Sequence, residues 1–285
     1  MTRTVYVNGD YLPEGEARVS VFDRGFLFAD SVYEVTSVLD GKLIAFDGHA
    51  QRLDRSCGEL GMRNPVTRDE LLAIHRELVA RNDLVEGMVY LQVTRGNPGE
   101  RDFAFPAEET APTLVLFTQE GTLIDNPKLA SGMTVIGVED QRWARRDIKT
   151  TQLLFPSMAK MMARAEGKDD AWMVEDGQVT EGSSNNAYIV KDGRIITRDL
   201  GPEILHGITR AAVLAYARSA QMIVEERPFT IEEAKAADEA FITSASTFVM
   251  PVTEIDGVAI GDGKPGKSAM RLREIYIEES RRQAV

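Results

Sequence analysis

The Asx-Gly pairs Asn8-Gly9, Asp40-Gly41, Asp176-Gly177 and Asp192-Gly193 constrain this chain more than any other feature. Each stands between apolar or alternating runs. A two-residue hairpin turn needs positive φ at both positions, which Asn and Asp tolerate and Gly adopts freely. The pairs therefore predict hairpins in "VYVNGDYL" and "SVYEVTSVLDGKLIAF". The stretch "DAWMVEDGQVTEGSSNNAYIVKDGRIITR" reads as three strands. Strands are also expected in "GMVYLQVTRG", "TLVLFTQE" and "MTVIGVED", and a strand followed by a turn in "AFITSASTFVMPV". Helical spacing marks "HAQRLDRSCGEL", "FPSMAKMMARAEG", "GITRAAVLAYARSAQM" and "KSAMRLREIYIEESRR". Another helix, "TRDELLAIHRELVARNDL", opens with Thr67 and Glu70 at capping-box spacing. Sheet and helix come in mixed order rather than strict alternation, which predicts two α+β domains instead of a doubly wound sheet. The boundaries read as a domain over 1–120, a linker of loop composition over 121–128, and a larger domain over 129–285.

A net charge of −12 on 285 residues argues against a nucleic-acid partner, because neutralising phosphates takes clustered Lys and Arg. No apolar run approaches membrane-spanning length, and the first residues lack the build of a signal peptide. The single cysteine, Cys57, excludes an internal disulfide and suits a reducing, cytoplasmic compartment. Three separated histidines and one cysteine make no metal site. Neither GxGxxG nor a P-loop pattern occurs, so the nucleotide-binding folds that use them have no support.

Local donors are then what could hold a small anionic ligand. Gly207 precedes a helix whose first turn holds Ile208 and Thr209, and free N–H groups at a helix start cradle anions. A plain N-cap is the bland alternative. "TSASTF" at 243–248 is a second hydroxyl-rich turn, and Arg52 and Arg55 share a helix face that could equally be solvated. Glu181 enters the Gly-Ser-Ser-Asn turn, where it could hold a heteroaromatic nitrogen protonated. Among only nine lysines, Lys149 lies in "RRDIKTTQLL", where Arg145 and Arg146 could help free its amine. An amine, a carboxylate, an arginine and a hydroxyl-lined helix start together suit pyridoxal phosphate.

"DRGFLFADSVYEV", "HAQRL", "YLQVTRG", "DIKTTQLL", "VTEGSSN" and "ILHGITR" occur in this order. With them the chain resembles the class IV, fold type IV pyridoxal-phosphate aminotransferases, and within these the D-amino-acid transaminases, almost end to end. The resemblance implies an α+β fold with a small N-terminal α/β domain and a larger C-terminal domain with a pseudo-barrel sheet. It implies transfer of the amino group of a D-amino acid to 2-oxoglutarate or pyruvate, in ping-pong order. Lys149 would carry pyridoxal 5′-phosphate as a Schiff base and shuttle the proton. Glu181 would pair with the pyridine nitrogen, and Leu205 would pack on the ring. Arg52, Ile208, Thr209, Ser244 and Ala245 would hold the phosphate. Tyr33 would line the substrate pocket, and members are homodimers that share active-site residues.

One departure stands out. The D-amino-acid branch places an Arg-x-His pair in the loop that here reads "RGNPGERDFAFP". Aligning Arg101 with the arginine leaves Phe103 in the place of histidine, with Asp102 adjacent. A weaker carboxylate trap follows, and activity on (R)-amines becomes thinkable. The alternatives are an (R)-selective amine transaminase, an L-branched-chain aminotransferase, an aminodeoxychorismate lyase, or a binding protein on the same scaffold.

Overall fold

The computed structural model describes residues 2–285. They form two compact units. The first runs to Leu123 and includes Ile148–Gln152 and Gln283–Val285; the second comprises Ile124–Asp147 and Leu153–Arg282.

In the first unit, β1 (Thr4–Val7), β2 (Asp10–Pro13), β3 (Ser31–Leu39), β4 (Lys42–Leu43), β5 (Gly87–Thr94) and β6 (Thr113–Glu120) form a sheet. The strand order is β2-β1-β6-β5-β3-β4, and every pairing is antiparallel. Asn8 and Gly9 turn the first hairpin at φ 49° and 112°, and Asp40 and Gly41 the next at 54° and 72°. The helices are α1 (Arg24–Phe28), α2 (Phe46–Glu59) and α3 (Arg68–Arg81). The expected capping box forms: the Thr67 hydroxyl accepts from Glu70 N, and the Glu70 carboxylate accepts from Thr67 N. Phe46 and Leu53 of α2 and Leu71 and Leu78 of α3 pack with Val89, Leu91 and Leu116 of the sheet. Ile148 joins the same core. It brings with it a short segment in which Thr150 bridges Val32 of β3. The five-residue α1 carried no helical periodicity, being too short to show one.

His75 lies in this core at 2 % exposure, with Nδ1 donating to Leu71 O at 2.8 Å. Burial pushes its pKa from 6.5 down to about 4. The unfolded chain therefore takes up a proton below pH 6.5 that the folded chain refuses until about pH 4. Stability is expected to fall by about 3 kcal/mol across that window. Denaturant titrations at pH 7 and 4.5 check this, and His75→Gln should flatten the slope.

In the second unit, β7 (Met133–Glu139), β8 (Asp170–Glu175), β9 (Gln178–Gly182), β10 (Asn186–Lys191), β11 (Arg194–Thr197), β12 (Ile223–Glu226), β13 (Glu239–Ser244), β14 (Phe248–Ile255) and β15 (Val258–Ala259) form one mixed sheet. Its order is β12-β11-β10-β13-β14-β7-β8-β9, with β15 on β14, and it curls into a half barrel, the pseudo-barrel the resemblance implied. Around it lie α4 (Leu154–Ala165), α5 (Ile208–Ser219), α6 (Ile231–Lys235) and α7 (Lys267–Gln283). The stretch expected as three strands holds four, because residues 183–185 break the middle run into β9 and β10. The break has a cause. Buried Asp170 accepts from the Ser183 hydroxyl and from Asn185 Nδ2, drawing that turn out of the ladder. "AFITSASTFVMPV" likewise forms a full hairpin, β13 to β14. No helix among the described residues is long and apolar enough to cross a membrane.

Candidate active site

The expected site residues fall on both units. Tyr33, Arg52, Arg101, Phe103 and Lys149 belong to the first, and Glu181, Leu205, Ile208, Thr209, Ser244 and Ala245 to the second.

In the first unit, backbone pairing seats Lys149 beside β3. Tyr33 N donates to Lys149 O at 3.0 Å, and Thr151 N donates to Ser31 O at 3.1 Å. The half-buried Lys149 places Nζ 4.1 Å from the centroid of the Tyr33 ring. Its amine thus faces an aromatic ring rather than a carboxylate. Tyr33 in turn stacks on Tyr90 at 5.7 Å.

Arg52 and Arg55 do not share a solvated face. Arg52 is buried, and its Nε and Nη2 donate to Glu34 Oε1 and Oε2 at 2.7 and 2.8 Å. His49 Nδ1 completes the cluster, 2.7 Å from Glu34 Oε2. Burial opposes the Glu34 charge, but Arg52 and His49 override it and hold the carboxyl well below the usual range. Burial, aided by Arg52 and Lys149, keeps His49 below its ordinary pKa despite Glu34. The neutral ring is then a donor to an ionised carboxylate. Glu34 escaped the sequence reading because a carboxylate in a strand pattern, three residues after an aspartate-serine pair, signals nothing until the helix lies against it.

Arg145 and Arg146 do not serve as free cations. Arg145 pairs with Asp147 at 2.9 Å, and Arg146 with Glu175 at 2.7 Å. Each guanidinium is paired with a carboxylate of its own unit.

In the second unit, Glu181 is 4 % exposed near the end of β9. Arg142 Nη1 donates to its Oε1 at 2.6 Å; Asn186 Nδ2 and Leu205 N donate to its Oε2 at 3.0 and 3.1 Å. Burial opposes the charge of Arg142, yet Glu181 and Asp140 together raise its pKa above the ordinary value. Three donors thus fill most of the roughly four acceptor positions of a carboxylate. One position is left for a further N–H.

Asn186 ties this carboxylate to the other expected pieces. It also donates to Leu205 O at 3.0 Å. A Cβ on Gly207 would stand 2.1 Å from Asn186 Oδ1, so only glycine fits there. Gly207 caps α5 with no side-chain hydrogen bond, which leaves the first N–H groups of a twelve-residue helix for another acceptor. Thr209 of that first turn is buried and shares a hydrogen bond with Tyr276. Across the sheet Asn186 pairs with Thr243, the residue before Ser244. The Ser244 hydroxyl lies 2.8 Å from that of Thr247 and accepts from Thr247 N at 3.2 Å, and Arg273 holds Thr247 O at 2.7 Å. Carboxylate, helix start and hydroxyl turn therefore meet around one asparagine. Sequence reasoning did not single out Asn186; two asparagines directly before an apolar strand were the available hint.

Arg101 and Phe103 sit on the loop after β5. The Arg101 guanidinium lies 4.9 Å from the ring centre of Phe28 and 5.0 Å from that of Phe103.

Residues 31–255 match the family model described as amino-transferase class IV. The chain is 38% identical over 279 residues to a D-alanine aminotransferase of Staphylococcus aureus (strain N315), covering 96% of this chain and 98% of the relative. It is 36% identical over 275 residues to a D-alanine aminotransferase of Listeria monocytogenes serotype 4b (strain F2365), covering 96% and 95%. Its fold superposes with TM-score 0.89 on the crystal structure of a T.th. branched-chain amino acid aminotransferase with pyridoxamine 5′-phosphate, at 27% identity, covering 99% and 96% of the two chains. With most of its length inside that family model and its fold shared, the chain belongs to the class IV aminotransferases.

Proposed function

We propose that this enzyme is a pyridoxal-phosphate-dependent transaminase that moves the amino group of a D-amino acid to a 2-oxo acid, 2-oxoglutarate or pyruvate, in ping-pong order. The observation that carries the reading is the Asn186-centred arrangement. A buried carboxylate with one acceptor position open stands beside an uncapped helix start and a hydroxyl turn. This donor set fits pyridoxal phosphate: Glu181 for the pyridine N–H, and the Ile208 and Thr209 amides with the Ser244-Ala245 turn for the phosphate. The family resemblance adds Arg52 to the expected phosphate donors, and Leu205 would pack on the ring. Bound there, the cofactor supplies an electron sink for the pair left when the α-proton departs. Lys149 Nζ would hold the cofactor covalently and carry the proton to and from the substrate Cα. Glu181 holds a positive charge on the ring nitrogen. Tyr33 walls the pocket, and Arg101 receives the substrate carboxylate, with Phe103 beside it.

The D-alanine aminotransferase relatives favour a D-amino acid. A second reading, an L-branched-chain or (R)-amine transaminase, is favoured by Phe103 standing where a second donor is expected. Stopped-flow half-reactions of the cofactor-loaded enzyme with D-alanine, L-leucine and (R)-1-phenylethylamine separate them. D-alanine should bleach the visible cofactor band fastest, and preference for either of the others overturns the D-amino-acid reading. A colourless protein that cannot be reconstituted overturns the transaminase reading itself.

A homodimer accords with α4, which exposes Leu154, Met158, Met161 and Met162 at 76%, 45%, 58% and 44% along helical spacing. Light scattering on the same preparation should return twice the mass of one chain. A cytoplasmic setting accords with Cys57, a free thiol at 1% exposure whose pKa burial pushes up to about 12.

A further inference from the structure

The loop that carries Arg101 is held by hydrogen bonds from a second arginine. Phe103 and Phe105 are 76% and 67% exposed, so apolar burial does not fix this segment. A buried arginine does. Arg24, 3% exposed, donates from Nη1 to Asp102 O at 2.6 Å and to Ala104 O at 3.1 Å, the carbonyls on either side of Phe103. Its Nε donates to Asp30 Oδ2 at 2.7 Å, an oxygen that Arg95 Nε also reaches at 2.8 Å. Arg95 is itself held by Leu60 O at 2.8 Å, and its guanidinium lies 3.8 Å from the centre of the Phe105 ring. Arg24 also faces the ring of Phe28 at 4.6 Å, the same ring against which Arg101 lies.

The arginine stands on a rigid base. Asp23, which caps α1 through Gly25 N at 2.8 Å, accepts from the hydroxyls of Thr94 and Thr113 at 2.9 and 2.7 Å. A Cβ on Gly25 would meet Thr94 Cγ2 at 2.4 Å, so glycine is what lets the turn lie this close to β5. Aspartate ties the turn to the ends of β5 and β6, glycine permits the approach, and arginine reaches the loop. A guanidinium suits this place because its planar fork serves a carboxylate and two carbonyls in fixed directions.

We propose that Arg24 is a positioning residue for substrate recognition: by holding the carbonyls of Asp102 and Ala104 it sets the pose in which Arg101 receives a carboxylate. This rests on the reading of Arg101 as the carboxylate receptor. The test compares the holoenzyme with Arg24→Lys, Phe105→Ala and Arg101→Leu. Half-reactions use whichever amino acid, D or L, the wild type accepts fastest, and yield an apparent dissociation constant and a limiting rate. Hydroxylamine, a nucleophile without a carboxylate, is the control.

Arg24→Lys keeps a cation for Asp30 but not the fork. It should weaken amino-acid binding about tenfold, with a much smaller change in limiting rate and in the hydroxylamine reaction. Phe105→Ala takes away the ring on which the Arg95 guanidinium lies, without removing a charge, and should shift binding in the same direction, which keeps the test available should Arg24→Lys not fold. Equal losses with the amino acid and hydroxylamine, together with a lower cofactor content, would mean a structural role only and overturn the proposal. Weakening by Arg101→Leu with none from Arg24→Lys or Phe105→Ala also overturns it, leaving the receptor intact. No weakening by Arg101→Leu removes the receptor reading, and the proposal with it.

Discussion

Lys149→Ala is expected to lose the visible cofactor band and at least about a thousandfold in turnover. On the proposed reading two roles vanish together: the covalent tether and the base that moves the α-proton. The surroundings make the loss hard to rescue from within the protein. The amine stands over the Tyr33 ring, and His49 is turned to Glu34. Backbone pairing of the segment with β3 does not involve the side chain, so the variant should fold and bind cofactor without holding it covalently. Steady-state transamination and the absorption spectrum of the dialysed variant check both parts. Retained turnover within tenfold of wild type would rule out Lys149 as the proton carrier.

The next largest effect concerns stability. Glu34→Met should destabilise the fold by about 3–5 kcal/mol, because it leaves the buried Arg52 guanidinium without its carboxylate. Removing both members, as in Glu34→Met with Arg52→Met, should recover much of that loss, since neither charge is then stranded. Urea unfolding of the two single variants and the double variant closes the cycle. Glu34 titrates well below its ordinary 4.5, so its contribution is complete above that pH and lost only as pH falls beneath it. The cycle at pH 7 therefore reads the full interaction, clear of the His75 titration. Additive losses would show that Glu34 and Arg52 are not energetically coupled.

Both variants mark the divide between what could be read from the chain and what could not. The hairpins at Asn8-Gly9 and Asp40-Gly41, the Thr67–Glu70 capping box and the bare start of α5 at Gly207 were all legible, because each is decided by residues within a few positions. The four-strand division of 170–197 was not, because the break at 183–185 depends on Asp170, thirteen residues away from Ser183. The short α6 (Ile231–Lys235) and the edge strand β12 are too brief to carry a period of their own.

The same limit governs the site. Residue type and order by themselves established the family and marked Lys149, Glu181 and the Gly207–Thr209 helix start as candidates. Only the tertiary structure decided their partners: Glu34 on Arg52 from eighteen positions away, Arg142 on Glu181 from thirty-nine, and Arg24 on the carbonyl of Asp102 from seventy-eight. Turns and caps are set by bonds between near neighbours in the chain. A buried charge is set by whatever the packed fold brings within hydrogen-bond reach, and no local pattern records that.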